Sequence, residues 1–461
     1  MSSSETRGNI SIERPFPKSE IPLFKVFMSP TVDAPLLETV HSGYITQGPR
    51  VKEFEAAVGA YLGNERVLAL NSGTSALELA VKLLRRGEGE WPGIIPGDEV
   101  LSCPLTCTAT NWAMLSQGLR LKWVDVDQAT AEMDLRDLEA KLSPRTKVIL
   151  VVHWAGTPVD LDALAQVQDR CKARYGFRPW IVEDCAHAFG ATWRGAKLGS
   201  GKNLCCFSLQ AIKHLTCGDG GLLTLPNDAL FERGKRLRWY GIDRENRGGA
   251  RDARMEPDIV EWGHKWHMND VAASIGLANL PHIPAMLEKC RANAAHFDAE
   301  LAGLFGVSAV ERAEGGVSSF WLYTLRVSAK YKFMEYMKSH NIMVSQVHKR
   351  NDGHSCVAEF KSPLPNLDQL EQTLVCIPCG WWLDVEQRNH IVNSIRSFST
   401  NLLRPKTIVT GGCGFIGHHV VEHLCKHTDN EIIVIDKLSY ASKGFDRLRD
   451  TGMLDRVTVY S

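Results

Sequence analysis

Short apolar runs rich in β-branched residues alternate with stretches of helical periodicity between residues 35 and 280. The runs predict strands at Arg66–Leu70, Thr146–Val152, Trp180–Val182 and Gly221–Leu225. Between them, Ser75–Arg86 and Leu161–Arg174 repeat apolar residues with the period of an amphipathic helix. Strands that alternate with helices are typical of a mostly parallel sheet with helices on both faces. The pattern therefore predicts an α/β fold.

A different pattern follows residue 270. Val271–Phe305 predicts one long amphipathic helix, and a mixed region after it predicts a strand at Ser319–Val327 and helices near Lys332–His340 and Val385–Arg396. A connector after Ser399 leads to a new strand at Lys406–Thr410. We therefore expect three parts: an N-terminal segment and large domain over 1–285, a small domain over 286–400, and a linker with a C-terminal fragment over 401–461.

Composition narrows the functional classes. The chain has 461 residues with 53 basic and 53 acidic side chains, so its formal net charge is zero. This balance argues against a general nucleic-acid binder or a binder of anionic membranes, both of which need a basic excess. The longest apolar runs, such as Val148–Val152, are far too short to span a bilayer. The polar N-terminus does not resemble a signal peptide, and we expect a cytoplasmic protein.

The thirteen cysteines are scattered along the chain. Cys376 and Cys379 form one CxxC pair, but no second pair completes a zinc site. We therefore predict no metal site and a structural role for this pair.

Three separated segments carry residues suited to chemistry. NSGTSAL (71–77) follows a predicted strand and begins a helix, so the turn at Gly73 and Thr74 can offer backbone N–H groups to an anion. VEDCAHAFGA (182–191) places Asp184 just past a buried strand. CCFSLQAIKHLTCGDGG (205–221) places Lys213 in a glycine-rich loop after Ser208.

A phosphate cradle, a carboxylate at a strand end and a lysine in a loop are what pyridoxal phosphate needs. The lysine forms a Schiff base with the aldehyde, and the carboxylate pairs with the protonated pyridine nitrogen. Each signal alone also fits a structural role. Asp184 could cap a strand, His187 could be a core histidine, Ser208 could pack beneath the loop, and Lys213 could be a solvated lysine. Their combination, in this order, favours the cofactor.

These segments resemble the DegT-type nucleotide-sugar aminotransferases of fold type I, most closely the branch that is similar to GDP-perosamine synthase. The resemblance covers roughly residues 20–400 and includes further blocks: SGYITQGPRVKEFE (42–55), TKVILVVHWAGTPVDLDAL (146–164), RWYGIDRE (238–245) and WGHKWHMNDVAASIGLANL (262–280). It implies a fold type I transferase, with a large, mostly parallel sheet domain and a smaller α+β domain. It also implies a homodimer that uses pyridoxal phosphate, a nucleotide-sugar substrate and an amino-acid donor.

The resemblance assigns roles to matching residues. Lys213 would bind the cofactor covalently and carry a proton during catalysis, and Asp184 would hold the proton of the pyridine nitrogen. His187 would lie beside the 3-hydroxyl of the ring. The phosphate would be held by three residues: Gly73, Thr74 and Ser208.

Two departures from the family pattern stand out. Many members stack an aromatic residue on the cofactor ring at the position of Cys107, where a thiol packs with less contact. Many members also carry GYNYR at 263–267, where this chain has GHKWH. The asparagine of that motif reaches the phosphate in the partner subunit, so Lys265 would replace it with a cation. His267 stands where the family has an arginine, which leaves the contacts to the sugar nucleotide open.

The C-terminal segment KTIVTGGCGFIGHHVVEHLCKHTDNEIIVID (406–436) predicts a strand, a glycine-rich turn, a helix and a second strand. Its Gly411, Gly414 and Gly417 fit a dinucleotide-binding turn, and Asp436 lies near the spacing expected for a carboxylate on ribose. It resembles the start of an extended short-chain dehydrogenase acting on nucleotide sugars. Because the remaining sheet and the catalytic pair are not present, we expect a partial Rossmann βαβ fragment that is catalytically empty and binds NAD weakly or not at all.

The sequence therefore predicts transamination of a nucleotide-linked 4-keto-6-deoxy sugar to the 4-amino sugar, with glutamate as donor. A dehydratase on the same fold is the runner-up. In such dehydratases a histidine replaces the lysine, so Lys213 speaks against it, and His214 is not at the required position. Two more functions stay open: a sensor that binds cofactor or sugar without turnover and, least favoured, an NAD oxidoreductase.

Overall fold

Strands and helices alternate through most of the protein. In the computed structural model the described residues are 20–244, 258–403, 406–428, 430–439 and 443–461. Glu245, which ends the block 238–245, lies outside them. The strands are β1 Val67–Leu70, β2 Glu99–Ser102, β3 Arg120–Trp123, β4 Thr146–Val152, β5 Trp180–Asp184, β6 Thr192–Trp193, β7 Ala196–Lys197, β8 Leu204–Ser208, β9 Gly221–Thr224, β10 Val307–Ala309, β11 Gly316–Val317, β12 Tyr323–Val327, β13 Leu374–Ile377, β14 Lys406–Thr410, β15 Glu431–Ile435 and β16 Thr458–Tyr460.

The α-helices are α1 Asp33–His41, α2 Pro49–Leu62, α3 Gly73–Leu84, α4 Thr108–Ser116, α5 Leu135–Lys141, α6 Leu161–Tyr175, α7 Asp228–Leu237, α8 Asp270–Asn279, α9 Ile283–Glu300, α10 Lys330–Ser339, α11 Pro365–Glu371, α12 Val385–Leu402, α13 Gly417–His427 and α14 Asp446–Asp450. Short 3-10 turns lie at Trp154–Gly156, Leu280–His282, Asn351–Gly353, Ser355–Phe360 and Leu454–Arg456. Among the described residues, no helix combines the length and the apolar character needed to cross a membrane.

The central sheet has seven strands in the order β1-β9-β8-β5-β4-β2-β3. Only β9 runs antiparallel to its neighbours, and the other pairs are parallel. Every residue of β1, β4 and β9 is buried, as expected for strands covered on both faces. The fold is therefore α/β with a mixed, mostly parallel sheet. The carboxyl ends of β5 and β8 lie side by side, which brings Asp184 and Ser208 to one edge.

The prediction of one continuous helix over Val271–Phe305 was wrong. The structure has α8, a 3-10 turn at Leu280–His282, and α9, which ends at Glu300. Pro281 lacks a backbone N–H and cannot donate the hydrogen bond that a continuous helix requires there. The domain boundary predicted after residue 285 falls inside α9.

The strand predicted over Ser319–Val327 begins only at Tyr323. Phe320 has a φ of +49°, a value foreign to a strand. The N–H of Ser319 donates to the carbonyl of Gly156 at 3.0 Å instead of to a neighbouring strand. The start of this segment is therefore fixed by a tertiary contact.

The described residues divide into two compact units. One contains residues up to 302 together with 308–392, and the other contains 303–307 and 393–461. In the second unit, β14, β15 and β16 form a parallel sheet in that order. Its apolar core includes Val421, Ile432, Val434 and Leu448. The strand β16 was not predicted from the sequence.

Candidate active site

A cavity of about 440 Å³ opens where the carboxyl ends of β5 and β8 meet the start of α3. It brings together seven of the eight residues predicted for the cofactor: Gly73, Thr74, Cys107, Asp184, His187, Ser208 and Lys213. The eighth, Lys265, is exposed and does not line this cavity. Its carbonyl accepts a hydrogen bond from Nδ2 of Asn71 at 3.3 Å. In a single chain, Lys265 therefore remains available to another molecule.

Asp184 is held as a hydrogen-bond acceptor at the end of β5. Its side chain is buried, Thr110 Oγ1 donates to Oδ2 at 2.7 Å, and the N–H of Ala186 donates to Oδ1 at 3.0 Å. Burial raises the pKa of Asp184, while the two hydrogen bonds and the charge of Lys213 oppose that rise. A positively charged ring nitrogen in the cavity would favour the ionised carboxylate.

Lys213 follows β8 in a turn where its N–H donates to the carbonyl of Gln210 at 2.9 Å. Burial lowers the pKa of Lys213 to about 8, with the negative charge of Asp184 acting in the opposite direction. The Nζ atom lies 3.9 Å from the centroid of a Trp321 ring. An amine with this pKa is partly unprotonated near neutral pH, which is the state required of a nucleophile.

The start of α3 forms a cradle for an anion. Ser72 caps the helix, because its Oγ accepts a hydrogen bond from the N–H of Ser75 at 3.0 Å. The next amides, of Gly73 and Thr74, have no partner within the helix, as in the first turn of any helix. A Cβ atom on Gly73 would lie 3.1 Å from Cβ of Ser208. Because Gly73 has no side chain, the first turn of α3 can lie close to Ser208. The two amides and the Ser208 hydroxyl together suit a phosphate.

His187 is buried beside this cradle, and its ring stacks on Trp321 with centroids 3.9 Å apart. Its Nδ1 has no hydrogen-bond partner among the described residues. Burial, and then the charge of Lys213, lower the pKa of His187 well below its ordinary value. The ring is therefore neutral, and it lines the cavity with one nitrogen left unpaired.

A second buried network lies beside Asp184, since the N–H of His153 donates to the Asp184 carbonyl at 3.2 Å. His153 Nε2 and Glu183 Oε2 lie 2.9 Å apart, and Asn203 Nδ2 donates to the other Glu183 oxygen at 2.6 Å. The N–H of Val159 donates to Nδ1 of His153 at 3.1 Å. Together with Cys185, this pair is the one group in the described part of the chain whose ligand atoms are close enough to share a metal. Its histidine and carboxylate are already engaged with each other and with protein donors.

Three cavity residues that the sequence did not predict contact the predicted ones: Thr110, Trp321 and His348. Thr110 lies three residues after Cys107, but nothing in the sequence linked it to Asp184. Trp321 and His348 come from the region after α9. Trp321 stacks on Phe24 with centroids 4.7 Å apart, and its Nε1 donates to the carbonyl of Ile212 at 2.9 Å. No local pattern in the sequence marks these two residues.

In the C-terminal unit, Asp436 holds the glycine-rich turn. Its Oδ2 accepts from the N–H of Cys413 at 2.8 Å, and Oδ1 accepts from the N–H of Leu438 at 2.9 Å. A Cβ atom on Gly417 would lie 2.0 Å from the carbonyl oxygen of Gly411. The turn is therefore closed tightly over the start of α13.

The donor set of the first unit fits pyridoxal phosphate. Gly73 leaves room for a phosphate at a helix start, Asp184 faces the cavity as an acceptor, and His187 has an unpaired buried nitrogen. Lys213 adds an amine of lowered pKa. This fold and site define a transferase that uses pyridoxal phosphate.

Comparison with known proteins identifies the family. Residues 30–396 match the DegT/DnrJ/EryC1/StrS aminotransferase family. The chain belongs to that family and is an aminotransferase dependent on pyridoxal phosphate. Residues 397–461 lie outside the match.

Solved structures show the same similarity. AtS13 from Actinomadura melliaura is 51% identical, with 82% of this chain and 98% of that chain covered and a TM-score of 0.77. The sugar aminotransferase CalS13 from Micromonospora echinospora is 47% identical, with 82% and 99% covered and a TM-score of 0.77. The putative sugar aminotransferase Spr1654 from Streptococcus pneumoniae, in its PLP form, is 26% identical, with 83% and 100% covered and a TM-score of 0.74.

Proposed function

We propose that the protein transfers the amino group of glutamate to the keto carbon of a nucleotide-linked 4-keto-6-deoxy sugar. One observation carries the proposal: Lys213, Asp184 and the start of α3 meet in one cavity, in a chain similar to sugar aminotransferases. Glutamate leaves as its 2-oxo acid and the sugar carbonyl becomes an amine, so the exchange needs no outside oxidant or reductant.

The residues predicted to hold the cofactor divide into groups with different tasks. The amides of Gly73 and Thr74 and the hydroxyl of Ser208 would hold the phosphate. Asp184, oriented by Thr110, would pair with the ring nitrogen, and His187 would face the ring hydroxyl. When bound, pyridoxal phosphate supplies an electron sink for the charge that develops beside the amino group.

Lys213 moves the proton. With a pKa lowered to about 8, its Nζ can release and recover a proton near neutral pH without a large free-energy difference. The ring of Trp321 lies against Nζ on one side. The same amine accepts a proton from the donor and returns one to the sugar carbon.

We further propose that the enzyme is a homodimer, in which Lys265 reaches the cofactor phosphate of the partner. Lys265 is exposed, and nearby Trp262 and Tyr240 are 68% and 42% exposed, which suits a surface covered by a second copy. Sedimentation at assay concentration tests this. A fully active monomer would contradict it.

For residues 406–461 we propose the start of a dinucleotide-binding fold, based on the parallel order β14-β15-β16 and the tight glycine turn. NAD binding should be weak, because the Asp436 side chain is buried and is held in place by two backbone amides. We place the enzyme in the cytoplasm, in line with thirteen free thiols.

The test is turnover of GDP-, dTDP- and UDP-linked 4-keto-6-deoxyhexoses with glutamate, with the product identified by mass and by NMR. One of these sugars should gain an amine in step with loss of glutamate. Lys213→Ala should abolish the exchange, whereas Lys332→Ala, at an exposed surface position, should not. Loss of a sugar hydroxyl without consumption of glutamate would support a dehydratase instead. Binding without turnover would support a sensor.

A further inference from the structure

His348 lines the cavity but takes no part in the steps above. Its Nε2 is buried and has no hydrogen-bond partner among the described residues. A buried nitrogen without a partner, when its ring lines a cavity, is a position that a ligand or water can complete. The His348 ring lines the cavity, so a ligand bound there would lie against it.

The backbone next to His348 is strained. Val347 has a φ of +71°, a value that β-branched residues rarely adopt. Ser345 enforces it, because Ser345 and Cys376 exchange backbone hydrogen bonds of 3.1 and 2.7 Å, and Ser345 Oγ accepts from the N–H of Val347 at 2.9 Å. Strain of this kind persists where the surrounding structure enforces it, often beside a functional site. The segment thus holds the imidazole in one place.

The chemistry around His348 suits a neutral ligand group. Its ring is parallel to that of His187, with centroids 5.7 Å apart, and Trp154 packs edge-on against both rings. Burial and the charge of Lys213 lower the pKa of His348 to about 4, so the ring is neutral at working pH. A neutral imidazole among aromatic rings suits a hydroxyl, whereas a carboxylate is bound best by a cation.

We propose that His348 binds a hydroxyl group of the keto sugar through its imidazole and so determines which sugar is accepted. The inference rests on the function proposed above. The cofactor has its own partners in Asp184, Lys213 and the α3 cradle, which leaves His348 for the substrate. It would act only in the half of the exchange that consumes the sugar.

The experiment separates the two halves of the exchange. His348→Phe keeps a ring and removes the nitrogens, and His348→Gln keeps a neutral hydrogen-bonding group. His354→Phe is the matched control, because Nε2 of His354 is also buried and unpaired but its ring packs on Trp112 and does not line the cavity. Three quantities are measured: cofactor affinity, single-turnover reaction with glutamate, and calorimetric binding of the keto-sugar nucleotide to the amine-loaded enzyme.

We expect His348→Phe to weaken sugar-nucleotide binding about ten-fold, while the cofactor affinity and the rate of the single-turnover reaction with glutamate stay unchanged. His348→Gln should lose less, and His354→Phe should match the wild type. A slower single-turnover reaction with glutamate would show that His348 binds the carboxylate of the donor. Weaker cofactor binding would show that it contacts the cofactor. Either result, or no change at all, overturns the inference. If the wild-type enzyme reacts with glutamate but accepts no keto sugar, the proposed function itself fails.

Discussion

Near neutral pH and without the cofactor, Lys213 carries a largely desolvated positive charge, and that charge destabilises the folded protein. Moving its pKa from 10.5 to about 8 corresponds to about 3 kcal/mol. The folded state binds this proton less tightly than the unfolded state does. The destabilisation is therefore complete below pH 8 and vanishes above pH 10.5.

Lys213→Met should stabilise the cofactor-free protein at pH 7. The gain is about 3 kcal/mol, less roughly 0.5–2 kcal/mol for the lost contact between the ammonium group and Trp321. With an unfolding entropy of about 2.1 cal/mol/K per residue, the remainder raises the unfolding midpoint by about 1–3 °C. At pH 10 most of the gain should disappear, because wild-type Lys213 is then largely neutral in the folded state.

The assay is scanning calorimetry of the cofactor-free proteins at pH 7 and pH 10. Lys332→Met is the control, because Lys332 is exposed and its replacement should leave the midpoint unchanged. The reasoning is refuted if Lys213→Met melts at or below the wild-type temperature at pH 7. It is equally refuted if the gain is as large at pH 10. Borohydride should link the cofactor to the wild-type protein and not to the variant, which verifies the site independently.

Three further outcomes follow from the geometry. Asp184→Asn should weaken cofactor binding and nearly eliminate turnover, because the ring nitrogen loses its charged partner; a wild-type rate would show that Asp184 only caps β5. Gly73→Ala should weaken cofactor binding with little loss of stability, because its methyl group meets Ser208 at 3.1 Å; unchanged affinity in a titration would exclude the cradle. Deletion of 401–461 should preserve turnover and cofactor binding, and loss of either would assign the C-terminal unit a role in the aminotransferase.

Local pattern predicted most of the central sheet. The strand Thr146–Val152 was predicted to the residue, because a fully buried strand is a continuous apolar run. The helix after it was predicted to within one residue, since Asp160 caps its start and Gly176 ends it in a left-handed conformation. At Pro281 and Phe320, a proline or a tertiary contact determines the backbone conformation. Hydrophobic periodicity alone therefore predicted the wrong element bounds there.

The candidate site was predictable where its residues belong to recognisable blocks of sequence, even when those blocks lie far apart, as Gly73 and Asp184 do. Asp184, Ser208 and Lys213 were found from the segments that carry them, and His187 from the family resemblance; all four line one cavity. Thr110 acts through a contact across 74 positions, and His348 enters from a segment with no motif of its own. The contacts of these residues depend on the tertiary arrangement of distant segments. A short window of sequence carries no information about that arrangement.

The residues of the cavity are spread along most of the chain, and this spread limits when the enzyme can bind its cofactor during synthesis. The residues that line the cavity extend from Phe24 to His348. The edge strand β1 can pair only after β9 has been synthesised, because Leu70 pairs with Gly221. At 5–20 residues per second, a ribosome needs roughly 15–65 s to add those residues. Nascent chains therefore cannot capture pyridoxal phosphate until most of the protein has emerged. The vitamin-derived cofactor then acts as a late ligand that draws newly finished chains toward the folded state by mass action.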